Sequence, residues 1–276
     1  MIEAYAIDPL RLEALSGLAP LSLSPLASRP TVRRSAKGLA AMVAVNGSLQ
    51  PGYGRSDRAT GYGTVTMEIE AAAADPAVTS IEMLISSPGG SIAGLVPTMR
   101  AIRKARAAKP VFAVVAGMAC SAAYALASQA TEIVASDPLD LVGSIGVVMV
   151  HIDISQALGQ AGIKPSLIYA GARKVDGSPY QPLSPEAEKR LQNEVDNAAA
   201  IVFAEISAGR PRLSVEAIKK MEAAVFQSFD SKTGRRPALD LGLVDHVVGV
   251  AGPAPRQAVA AMWSAAAAAA SERLAS

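Results

Sequence analysis

Cysteine is almost missing from this chain: Cys120 stands alone among 276 residues. An internal disulfide is excluded, as is a zinc site built on thiolates, and such usage fits a reducing cytoplasm. Histidine is nearly as scarce, with only His151 and His246, which narrows any proposal of a metal centre or a histidine-based triad. Aromatic residues make up 4%, too few for a platform on which bases stack. Charge of one sign is lacking too. Lysine and arginine number 26 against 24 acidic residues, and a net charge of +2 gives no electrostatic case for nucleic acid or an anionic membrane surface.

Long apolar runs are equally rare. Residues 111–131 carry no charge and nominally reach the length that crosses a bilayer. Their composition speaks against a span. Val111 to Val115 is mostly β-branched and strand-like, Gly117 interrupts it, and residues 120–130 are rich in alanine and serine, so we expect a buried strand followed by a tightly packed helix. Residues 1–36 contain Glu3, Asp8, Arg11 and Glu13 where a signal peptide needs unbroken apolar sequence, and are read as an arm.

What is present is ample apolar material, 50% hydrophobic against 18% charged, enough for a substantial core. A strand is predicted over 39–45, then a glycine-rich loop over 46–63, a helix over 64–74 and a buried strand over 80–86. Ser87-Pro88-Gly89-Gly90-Ser91 reads as a tight turn, with Ser91 capping a helix that runs to about Arg106. The order then repeats: strand 111–115, turn at Gly117, helix 120–129, strand 132–135, a loop through Gly143-Ser144-Ile145-Gly146, strand 147–150, helix 154–161 and strand 166–170. Alternation at this spacing implies an α/β layer with a largely parallel sheet. A helix capped at Ser184 is expected to run to about Ala208, with Leu191, Val195, Ala198, Val202 and Ile206 on one face; a second follows over 214–222, then a short helix over 238–242 and a strand over 243–248. The chain divides into an N-terminal arm (1–38), read as flexible, a main domain (39–250) and an alanine-rich helix or tail (251–276).

In an open parallel sheet, ligands sit beyond the carboxyl ends of the strands. The segments 87–91, 117–124 and 170–180 follow three such ends and should share one cleft. Ser121 stands at the start of a helix among small residues, where unpaired N–H groups can hold an oxyanion; the plain reading of the same serine is a helix cap. Gly89 and Gly90 can turn backbone N–H groups into the cleft with no side chain in the way, or simply form a turn. Two bases compete. Lys174 lies in the third loop, but a free lysine has a pKa of about 10.4 and serves as a base only when burial strips its charge; otherwise it is a solvated surface residue. His151, after a strand, is of a type already suited to the task, its plain reading being a histidine hydrogen-bonded to backbone. Ser144 is placed to steer a neutral lysine or to make a turn, His246 looks structural, and Cys120 reads as buried filler.

Taken in order, Ser87-Pro88-Gly89-Gly90-Ser91, Cys120-Ser121-Ala122-Ala123-Tyr124, Gly143-Ser144-Ile145-Gly146-Val147 and Lys174-Val175-Asp176-Gly177 resemble the successive signatures of the S49 serine peptidases. The resemblance covers about 39–250. Val148-Met149-Val150-His151 and the stretch 167–180 are most similar to the phage branch, whose members process scaffold and other head proteins during capsid maturation. It implies a ClpP/crotonase-like fold with additional C-terminal helices, Ser121 as nucleophile, Lys174 as general base, oxyanion N–H groups from Gly90 and Ala122 with Gly89 beside them, and Ser144 and His151 in support. It further implies a homo-oligomer, a protein or peptide substrate such as a capsid scaffold, and residence in the bacterial host cytoplasm, with no cofactor, metal, nucleic acid or integral membrane segment. Ala122-Ala123 departs from the Gly-Gly of many cellular members and narrows the path for substrate backbone. A cellular peptidase of the signal peptide peptidase type, a serine-histidine enzyme using His151, and a catalytically silent shell protein stay open as alternatives.

Overall fold

The computed structural model describes residues 4–7, 31–35 and 38–250. The expected tail at 251–276 lies outside the described residues. In chain order the elements are β1 (Ala4–Ile7), β2 (Thr31–Ser35), β3 (Gly38–Gln50), β4 (Ala59–Gly61), α1 (Tyr62–Ala74), β5 (Val78–Ser91), α2 (Leu95–Ala108), β6 (Val111–Cys120), α3 (Ala122–Ala127), β7 (Glu132–Ala135), β8 (Leu141–Gly143), β9 (Val148–Met149), α4 (Ser155–Gln160), α5 (Pro185–Gly209), α6 (Val215–Lys220), β10 (Val225–Gln227), α7 (Pro237–Asp240) and β11 (His246–Val247). The strands form one mixed sheet whose central pairings, β3 with β5, β5 with β6 and β6 with β7, are parallel, while β2 adds to β3 antiparallel. The α/β class with a largely parallel sheet is therefore as the sequence implies.

The sheet sets the core by its period of two. Val111, Ala113 and Val115 of β6 join Val43, Val45, Ile81, Met83 and Ile85 in the main cluster, into which Ile69, Met99, Ile102 and Leu126 descend from α1, α2 and α3. Phe112 and Val114 point the other way, to a small second cluster with Val134 and Val248. The uncharged run at 111–131 is thus strand β6 followed by buried α3, and among the described residues no helix is long and apolar enough to cross a membrane.

Several expectations need correction. The stretch 46–63 is not all loop, because β3 runs on through Gly47 (φ +63) to Gln50 and pairs with β4. Residues 87–91 do not form a tight turn. They continue β5 through a register shift with Gly89 at φ +103, since β3 and β1 supply partners for their backbone groups. Ser91 does not cap α2: its Oγ accepts from the Ala93 N–H at 3.1 Å, and the helix begins at Leu95 after Gly94. Residues 166–170 form no strand despite their composition, for no neighbouring strand offers them an edge; Ile168 is 98% exposed. The strand read over 147–150 shrinks to Val148–Met149, paired antiparallel with β1. The strand read over 243–248 is only the two residues of β11.

The long helix is as expected. Ser184 caps α5, its Oγ accepting from the Ala187 N–H at 3.2 Å, and the expected face is inward, with Val202 and Ile206 buried. Only the C-terminal half docks deeply. There Glu205 accepts from both Arg100 and Arg103 of α2, at 2.8 Å and 2.7 Å, and its N-terminal half stands clear of the core.

Candidate active site

The site forms where β5 and β6 part company. Over residues 81–85 the two run side by side, and Ser87 pairs with Ala119 after a register shift. Between these points Gly117 (φ +97) bends β6 so that Met118, Ala119 and Cys120 pair with β8. The bend is held from outside: the Gly117 N–H donates to Asp140 Oδ1 at 2.6 Å. Asp140 is buried, and desolvation raises its pKa above the usual carboxylate range, partly offset by N–H donors from Asp137 and Gly117.

Ser121 occupies the junction between β6 and α3. Its N–H donates to the Gly143 carbonyl at 2.7 Å and its carbonyl accepts from the Ala125 N–H at 3.0 Å, so the backbone is fixed on both sides. It is fixed in a strained shape, φ +55 and ψ −120, which costs a non-glycine residue on the order of 1–3 kcal/mol. The side chain does not cap α3. Its Oγ is buried and has no hydrogen-bond partner, in a residue only 4% exposed. A strand-to-helix turn of this kind offers a hydroxyl rather than spending it on the helix. Fully buried Ala122 and Ala123 follow, and Ala122, as the first residue of α3, has an N–H with no intrahelical carbonyl to meet. Tyr124 anchors the short helix by donating to the Leu243 carbonyl at 3.0 Å, and burial pushes its phenol up to about 12.

Across the gap, Gly90 lies so close to β3 that a Cβ there would stand 2.0 Å from the Leu49 carbonyl oxygen. The Gly89 N–H is already donated to Ser87 Oγ at 3.2 Å. On the β8 side, a Cβ on Gly143 would meet the Ala224 carbonyl at 2.6 Å; Ser144, buried at φ +50, donates its N–H to that same carbonyl at 2.8 Å. The structure thus gathers Ser121, Ala122, Gly143 and Ser144 around the end of β6, with Gly89 and Gly90 on the neighbouring strand.

The two candidate bases lie elsewhere on the chain. Lys174 is exposed in the coil between α4 and α5, where its N–H donates to the Gly171 carbonyl at 3.0 Å. That third loop is tied to α5 through Asp176 and Arg190, at 2.7 Å, and to the start of α4 through the Ile154 N–H and Pro179 carbonyl, at 2.9 Å. His151 is half-buried just after β9 and is not hydrogen-bonded in the way its plain reading expected: Nε2 is buried without a partner. His246 meets Glu132 at 3.3 Å, between β11 and β7. Cys120 is wholly buried. Among the described residues there is no grouping of three or more metal-ligating side chains. Sequence reasoning missed Asp140 and the 222–224 segment that backs Ser144. The Asp137-Pro138-Leu139-Asp140 turn was the available signal, for its side chains bind the backbone of their own neighbours.

A buried, unbonded hydroxyl on a strained strand-to-helix turn, beside a helix-start N–H, suits nucleophilic acyl transfer by a serine. The chain belongs to peptidase family S49, whose model matches residues 103–264, more than half of its length. It is 35% identical over 252 residues to capsid assembly protease C of Escherichia phage lambda, covering 88% of this chain and 54% of the relative. It is 37% identical over 189 residues to head-tail preconnector protein GP5 of Enterobacteria phage P21, covering 68% of this chain and 36% of that one. Protease 4 of Salmonella typhi is 29% identical over 209 residues, 75% of this chain and 32% of the relative. The chain therefore spans about half, or less, of the length of the curated relatives it matches.

Proposed function

We propose that this chain is a serine endopeptidase of the phage type, with Ser121 as nucleophile and Lys174 as general base, acting on a capsid scaffold or related head protein. The observation that carries the reading is Ser121 itself, a buried hydroxyl free of hydrogen bonds on a strained backbone. The base removes the proton from Oγ as Oγ attacks a peptide carbonyl. The oxyanion is held by the Gly90 and Ala122 N–H groups, the C–N bond breaks, and the proton passes to the leaving amine. Water then attacks the acyl-enzyme and frees the serine. The names of the phage relatives, a capsid assembly protease and a head-tail preconnector protein of which this chain covers 54% and 36%, support the substrate class.

Lys174 must lose water to act as a base. The coil that carries it exposes Ile163, Ile168, Tyr169 and Tyr180, with Ile152 and Ile154 just upstream. Exposed apolar side chains of that number on one segment support burial against a second copy of the chain, in the homo-oligomer that the long, half-free α5 helps to build.

His151 supports a second reading, a serine-histidine pair, because its buried Nε2 has no partner. The test is labelling of the assembled protein with a fluorophosphonate, together with digestion of a candidate scaffold protein read by mass spectrometry. Loss of both in Ser121→Ala and Lys174→Ala, with His151→Ala retaining them, supports the lysine dyad. Retention in Lys174→Ala with loss in His151→Ala transfers the role to histidine. A wild type that is never labelled and never cuts ends the peptidase reading.

A further inference from the structure

Strand β5 has two edges, and both are accounted for at its carboxyl end. Residues 81–85 pair with β3 on one side and β6 on the other. Past Ser87, β6 leaves to follow β8, while β3 stays, pairing Ser48 with Gly89 and Leu49 with Gly90. The edge that β6 vacates, at residues 89–91, therefore lies beside Ser121, and it is taken by β1: Tyr5 pairs with Ser91, Ala6 with Gly90 and Ile7 with Gly89. On its far side β1 pairs with β9, Ala4 with Met149 and Tyr5 with Val148. The N-terminal segment is thus a strand inserted between the backbone of Gly89–Ser91 and that of Val148–Met149.

Its direction matters. Because β1 is antiparallel to β5, it runs from Ser91 back towards Ser87, and Ser87 is the residue that pairs with Ala119, two positions before Ser121. Ile7, opposite Gly89, is two residue spacings from that level, about 7 Å along the strand. An extended peptide laid in this slot is led to the nucleophile with Gly90 alongside it. The slot needs nothing of its occupant but backbone pairing, which any extended chain supplies.

We propose, building on the peptidase reading and its groove for substrate backbone between residues 89–91 and 148–149, that the chain's own residues 4–7 are a resident competitor in that groove, displaced by substrate. The occupant is four residues long and is separated from β2 by residues 8–30. Tethering of that kind gives a weak strand an effective concentration on the order of millimolar, enough to hold the groove against dilute peptide but not against a large substrate with further contacts.

The test measures binding, so that it does not depend on catalysis. A fluorescein-labelled peptide copying residues 1–12 is titrated by anisotropy into Ser121→Ala protein, with and without deletion of those residues, and into full-length Ser121→Ala carrying Tyr5→Pro. Tyr5 is in register with both neighbours, so proline there removes a ladder N–H on one side or the other. If β1 fills the groove about nine-tenths of the time, deletion tightens the peptide about tenfold, with Tyr5→Pro between the two. Equal affinities in all three proteins overturn the proposal. So does loss of the native near-ultraviolet dichroism in both altered proteins, which makes β1 a structural strand. Should the truncated protein with its serine restored resist fluorophosphonate while the affinity shift persists, the peptidase reading fails and the groove stands.

Discussion

Asp140 and Gly117 are joined by a hydrogen bond of 2.6 Å from the glycine N–H to the carboxylate, across the bend that turns β6 from β5 towards β8. The partners of that carboxylate are donors: Gly117 N–H on Oδ1, and Asp137 N–H at 2.9 Å with Ser136 Oγ at 3.3 Å on Oδ2. Asp140→Asn turns one acceptor into a donor facing a donor. Stability is expected to fall by about 1–3 kcal/mol in a denaturant titration. The strand leading to Ser121 loses its brace, and fluorophosphonate labelling of Ser121 is expected to slow by roughly 10- to 100-fold at saturating probe, with little change in the concentration needed to saturate.

The strain at Ser121 gives a second prediction, in the opposite direction. Glycine accepts φ +55 without penalty, so Ser121→Gly is expected to raise stability by about 1 kcal/mol while abolishing labelling. Ser121→Ala keeps the strain and is expected to leave the melting temperature near that of the wild type. Calorimetry of the three proteins decides: equal melting temperatures for the glycine and alanine variants would mean that the backbone is not held under load by the Gly143 and Ala125 contacts.

The parts of the fold that periodicity controls were legible. Strand β7 and the capped helix α5 follow from apolar spacing and a serine at the right offset, and the buried character of residues 111–131 follows from small residues around Gly117. The glycines misled where backbone partners came from far away in sequence. Gly89 and Gly90 read as a turn because local rules cannot see β3 and β1 on either side of them. Leu167, Ile168 and Tyr169 read as a strand because composition reports apolarity, not whether an edge is available. Ser121 was legible as a position and not as a geometry: a helix-start serine and an unbonded serine at positive φ have the same letters around them. The turn at Asp137–Asp140 was legible, but the role of the Asp140 carboxylate was not, because it is set by a contact 23 positions away.

Gly90 supplies a steric prediction. With a Cβ only 2.0 Å from the Leu49 carbonyl oxygen and 2.6 Å from its nitrogen, Gly90→Ala forces β3 and β5 apart where both are main-chain paired. Overpacking of this sort costs about 1–3 kcal/mol. Since residue 90 also pairs with Ala6 of β1, the spread is expected to weaken binding of the residue 1–12 peptide to the truncated protein. The control is Gly159→Ala in α4, whose Cβ meets nothing within 4 Å on a backbone without positive φ and which leaves peptide binding unchanged.

Acid stability offers the last test, because two aspartates, buried Asp140 and half-buried Asp245, pull in opposite senses. Burial pushes the Asp245 carboxyl up, but the Arg210 guanidinium, the Ile133 N–H and Arg212 outweigh it and hold it below the usual range. A depressed carboxylate contributes stability that is complete above its unfolded pKa, about 3.9, and is lost as pH falls through its folded value. Asp140, raised by desolvation, does the reverse: its charge carries a penalty that is relieved as pH falls through its folded pKa. Asp245→Asn leaves Arg210, itself 5% exposed, without its carboxylate, and is expected to cost about 3–5 kcal/mol at neutral pH and to flatten the fall in stability below about pH 4. In Asp140→Asn the relief disappears, so its acid slope is expected to be steeper than that of the wild type. Urea unfolding from pH 3 to pH 7 reads both slopes, and equal slopes for the two variants would show that neither carboxylate governs the acid limb.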